Sequence, residues 1–84
     1  LRFVVHLDVM PKEGISDPVG ATIERFLPNL GYEGLEAFRV GKRIVFTVEA
    51  PSETDAQATV ENLCKQILAN QVIEDFSFEI ETIK

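Results

Sequence analysis

Apolar and polar residues alternate along the first ten positions of the chain. Leu1, Phe3, Val5, Leu7 and Val9 fall on one face; Arg2, His6 and Asp8 fall on the other. A period of two predicts a half-buried strand, and Pro-Lys-Glu-Gly closes it. The period then changes to that of a helix. Val19, Ile23, Phe26, Leu27 and Leu30 make one apolar stripe. Ser16 or Asp17 caps this helix, and Pro18 suits its first turn, where a missing N–H costs nothing. Pro28 removes a backbone hydrogen bond, which predicts a kink or an early end. Gly31 is a stop signal.

Residues 35 to 50, "LEAFRVGKRIVFTVEA", read as two short strands joined at Gly41. The glycine followed by Lys42 and Arg43 also raises the possibility of a phosphate loop. Such a loop needs several glycines and must lead into a helix; here one glycine leads into the alternating Ile44, Phe46 and Val48. The pattern therefore predicts a hairpin. A loop of three residues, Gly41 to Arg43, would pair Val40 with Ile44 and keep both on the buried face. The next helix starts at Ser52, with Asp55 at capping-box spacing. Its stripe is Ala56, Val60, Leu63, Cys64, Ile67 and Leu68, and Asn70 is its stop. A last strand runs from about Glu74 to Ile83, with Phe76, Phe78 and Ile80 facing in. The order βαββαβ predicts an α+β, ferredoxin-like fold: a four-stranded antiparallel sheet with two helices on one face. The second and fourth strands would lie at its edges.

Composition narrows the function classes. The 84 residues suit a single domain, 1–84, whose core is small for its surface. Cys64 is the only cysteine, so no disulfide framework supports it. Self-association, as a homodimer or a dimer of dimers, is the expected source of further burial. The net charge of -6 opposes nucleic-acid binding, which needs a basic face. The RNA-binding use of this fold would show outward aromatics on the first and third strands, and none is present. No apolar run reaches bilayer length, and the first residues do not read as a signal peptide. The expected setting is the cytoplasm.

Candidate chemistry is sparse. Cys64 sits in the middle of an apolar stripe and reads as a packing residue. His6 and Asp8 share the polar face of the first strand, but no serine or cysteine nucleophile is evident beside them. Glu79 and Glu81 share a face and read as solvated charges that also protect a sheet edge. Arg39, Lys42 and Arg43 form the one basic cluster, and with Gly41 between them they are the candidate partner-binding residues: Arg39, Gly41, Lys42 and Arg43. No catalytic, cofactor-binding or metal-binding residue is assigned.

Three stretches carry a resemblance. "DPVG" at 17–20, "LGYEGLEAFRVGK" at 30–42 and "LANQVIEDFSFEIE" at 68–81 together resemble the PurS family over essentially the whole chain. PurS is the small subunit of phosphoribosylformylglycinamidine (FGAM) synthase, in purine biosynthesis. The resemblance implies a non-catalytic assembly subunit. Its partners would be a synthetase subunit (PurL), which holds ATP and magnesium, and a glutaminase subunit (PurQ), which frees ammonia. No cofactor is implied in this chain. An ACT-like domain that binds a small ligand is the alternative with the same element order.

Overall fold

A computed structural model describes residues 1–83. Strand β1 is Arg2–Pro11, helix α1 Pro18–Phe26, strand β2 Lys42–Glu49, helix α2 Glu53–Leu63 and strand β3 Glu74–Ile83. A 3-10 turn, Pro28–Leu30, follows α1, and a π-helical turn, Cys64–Leu68, follows α2. The sheet is antiparallel in the order β2-β1-β3.

The expected four-stranded ferredoxin-like sheet is therefore corrected to three strands, and the hairpin at Gly41 is absent. Residues 35 to 40 form no strand: two of their backbone donors are taken by helix α1 and its cap residue. The Phe38 N–H donates to Glu24 Oε1 at 2.5 Å, and the Val40 N–H donates to Asp17 Oδ2 at 2.7 Å. Ala37, at φ 62°, also breaks the extended run. Gly41 does not have a positive φ. Its glycine requirement is one of space: an added Cβ would collide with the Val9 carbonyl and the Met10 side chain.

The period-two pattern of β1 is realised in full. Phe3, Val5, Leu7 and Val9 are buried, and β1 is the central strand. Register makes apolar rows across the sheet: Phe46–Val5–Ile80 and Ile44–Leu7–Phe78. Ala56, Val60 and Cys64 of α2 and its extension complete the core on this face. Ser52 caps α2 as expected, its Oγ accepting the Asp55 N–H at 3.2 Å.

The π turn alters the end of the α2 stripe. The Ala69 N–H reaches back to the Cys64 carbonyl at 3.0 Å, an i→i+5 bond that takes more residues per revolution than an α-helix. Leu68 consequently turns in, while Ile67, expected in the stripe, is 74% exposed.

Helix α1 does not join the core. Asp17 caps it, accepting the Gly20 N–H at 3.0 Å, and it ends before Pro28, as the proline requires. Its apolar stripe stays uncovered: Val19 is 55% and Phe26 58% exposed, and only Gly20 is buried. The described chain is accordingly long, 53 × 29 × 15 Å, with a radius of gyration of 16.8 Å. A compact chain of this length would have about 12 Å.

Candidate functional site

The expected basic cluster does not assemble at one tip. Arg39 folds back and donates from its guanidinium to the Pro11 carbonyl. Lys42 and Arg43 open strand β2 and lie on opposite faces of it, opposite Val9 and Asp8 respectively. Arg43 Nε stands 3.8 Å from Asp8 Oδ1, an exposed pair of small energetic weight. Gly41 lies against β1 rather than at a projecting turn.

His6 and Asp8 line a shallow cleft on the face of the sheet away from α2, together with Arg43, Ser77 and Glu79. Ser77 was missed as a neighbour because it lies on another strand; the register places it directly opposite Asp8, and Glu79 opposite His6. Among the described residues no hydrogen bond joins Ser77 to the ring, and Asp8 faces Arg43 instead. The group lacks the nucleophile–base contact that activates a hydroxyl. Cys64 is wholly buried, and desolvation, with a smaller push from Glu61, raises its thiol above the ordinary range. A buried neutral thiol is a poor nucleophile.

The "DPVG" stretch has a structural use. One carboxylate, Asp17, accepts the Gly20 N–H with one oxygen and the Val40 N–H with the other. Those bonds, Gly20 first, hold the Asp17 carboxyl below the usual aspartate range, helped by Arg39. Gly20 lets the helix backbone meet the Phe38 carbonyl, where a Cβ would collide. The motif thus fastens α1 to the segment that leads into β2.

The "LANQVIED" stretch is an ordered turn between the π turn and β3. Asn70 is its hub. Its carbonyl accepts from the Ile73 and Glu74 N–H groups at 3.0 and 2.7 Å, and its side-chain oxygen accepts from Val72 N–H at 3.1 Å. Its own N–H donates to Glu74 Oε1 at 2.8 Å. The Lys12 N–H donates to the Ile73 carbonyl at 2.8 Å, tying the turn to the end of β1.

The family described as PurS, phosphoribosylformylglycinamidine (FGAM) synthase, matches residues 4–82. The PurS subunit of Synechocystis is 40% identical over 73 residues, covering 87% of this chain and 73% of its own. That of Bacillus subtilis is 33% identical over 81 residues, covering 96% and 95%. Among solved structures, B. subtilis PurS aligns with a TM-score of 0.85 at 34% identity, covering 95% of this chain and 99% of its own. A chain of the PurLQS structure from Thermotoga maritima aligns with 0.86 at 31% identity, covering 96% and 99%. The chain therefore shares its overall fold with solved PurS chains, and the ACT-like alternative gains no support. This chain belongs to the PurS family, the small subunits of FGAM synthase.

Proposed function

We propose that this chain is the non-catalytic assembly subunit of an FGAM synthase and joins a PurL-type synthetase to a PurQ-type glutaminase. The complex converts formylglycinamide ribonucleotide, glutamine and ATP into formylglycinamidine ribonucleotide. The observation that carries the reading is the match, over 96% of this chain, to a chain of the PurLQS structure. The molecule's own form supports it: both outer strands of the sheet are edges, and the apolar stripe of α1 is uncovered. Surfaces of that kind mark protein contacts.

ATP and magnesium belong to the synthetase in this reading, and this chain holds no cofactor. Its setting is the cytoplasm, where purine synthesis consumes glutamine; no helix among the described residues is long and apolar enough to cross a membrane. The experiment is reconstitution. The pure chain should neither release ammonia from glutamine nor consume ATP, and adding it to the synthetase and glutaminase should give glutamine-dependent turnover in a co-sedimenting complex. Turnover by the chain alone, abolished by substituting one of its own residues, would refute the reading.

A further inference from the structure

We propose that Gln71 latches a one-residue ratchet at the end of α2. Residues 64 to 69 can pass from the observed π turn to an α turn, and the passage exchanges Ile67 for Leu68 on the buried face. The first observation is an exchange of hydrogen-bond partners. In an α-helix the Ala69 N–H would donate to the Lys65 carbonyl, four residues back. Here it reaches one residue further, to the Cys64 carbonyl at 3.0 Å. The Lys65 carbonyl, deprived of that donor, accepts Gln71 Nε2 at 3.3 Å instead. A side chain from the following turn therefore stands where a main-chain donor would stand in an α turn. Local side-chain bonds of this kind compete with the helical ladder.

The second observation is the packing. Ala56, Val60 and Cys64 mark the buried line of the helix. At 3.6 residues per turn an uninterrupted α-helix would carry Ile67 to within about 20° of that line and Leu68 about 80° away from it. The π turn reverses the two: Leu68 packs against the core and Ile67 is 74% exposed. Leucine and isoleucine are isomers, so the core would lose and gain the same volume, the kind of swap that cores tolerate best. The carbonyls balance too. In the α position the Leu68 N–H would serve Cys64 and the Ala69 N–H would serve Lys65; in the π position Ala69 serves Cys64 and Gln71 serves Lys65. Two arrangements matched in volume and in hydrogen bonds are close in free energy, which is what a two-position element requires. Beyond them the chain is fixed by the bonds around Asn70. Ala69, extended at φ -135° and ψ 141°, is the joint between the moving turn and the fixed one. A contact that prefers one of the two outward side chains would shift the balance by that preference alone.

The test uses the full chain and reads the partner of Ala69 directly, by through-hydrogen-bond scalar coupling between amide nitrogen and carbonyl carbon. In the unaltered protein Ala69 should couple to the Cys64 carbonyl. Gln71→Leu keeps the bulk and removes the donor, and there the coupling should move to the Lys65 carbonyl. Gln71→Lys restores a donor and should return it to Cys64. Leu68→Ala removes the side chain that the π position seats and should drive the same move to Lys65. With each move to Lys65, the Ile67 methyl signals should lose about half or more of their broadening by a dissolved paramagnetic agent. Gln71 is exposed, so its variants should melt like the unaltered chain. Retention of the Cys64 coupling in Gln71→Leu, or a failure of Gln71→Lys to restore it, would overturn the latch; retention in Leu68→Ala as well would overturn the ratchet. Loss of both couplings in Gln71→Leu would mean that the turn frays instead of changing register, and would also overturn the proposal.

Discussion

At Gly20 the backbone of α1 touches the Phe38 carbonyl, and at Gly41 the chain passes against Val9 and Met10. Both glycines are required by space, not by a left-handed conformation. Gly20→Ala should therefore destabilise the protein by about 1–3 kcal/mol, the usual scale of overpacking, in urea unfolding. Asp17 makes a second prediction, with a definite sign. Its folded pKa is lowered, chiefly by the Gly20 and Val40 N–H bonds. Their contribution is thus complete above the unfolded value of about 3.9 and is lost as pH falls through the lower folded value. The Gly20 and Val40 amide resonances should titrate together below the ordinary aspartate range, and in Asp17→Asn they should not. A cap at Ser16 or Asp17 and the packing role of Cys64 were legible in the sequence, because each depends on the pattern within one helix; the structure puts the cap at Asp17. The second oxygen of Asp17 was not, because its partner lies 23 residues away.

Elements with a long, regular pattern were legible for a matching reason. β1 repeats its period over ten residues and β3 likewise, so their inward faces followed. The stretch 35–40 is only six residues long, and its apolar Leu35, Ala37, Phe38 and Val40 break the alternation between Ala37 and Phe38. Its fate was set by Asp17 and Glu24, which remove the donors a strand would use. The stripe of α1 was read correctly as apolar, but amphipathicity shows that a face will be covered, not by what. The two helices and the sheet accordingly differ in their sensitivity to truncation. Leu7→Ala, in the fully buried centre, should cost about 2–5 kcal/mol. Val19→Ala, on the exposed stripe, should be neutral within about 0.5 kcal/mol, both measured by denaturant melts of dilute protein.

The described chain has a radius of gyration about 1.4 times that of a compact chain and leaves an apolar helix face in water. Self-association would shield it. Sedimentation at micromolar concentration should therefore show a multiple of the 9.4 kDa chain, and Phe26→Glu should shift it toward the single chain without changing the melt of the sheet. A persistent 9.4 kDa species for the unaltered protein would show that this face stays bare. The strand order has a further consequence, for the time course of folding. The central strand, β1, is the first to be synthesised, and one of its two partners, β3, is the last: Arg2 pairs with Ile83. Pairings so distant along the chain demand that a long loop be closed before any contact rewards it, which slows folding. Until β3 emerges from the ribosome, Phe3, Val5, Leu7 and Val9 form an adhesive strand with one side unpaired. The nascent sheet passes through an aggregation-prone moment just before β3 arrives, and chaperone demand should rise there.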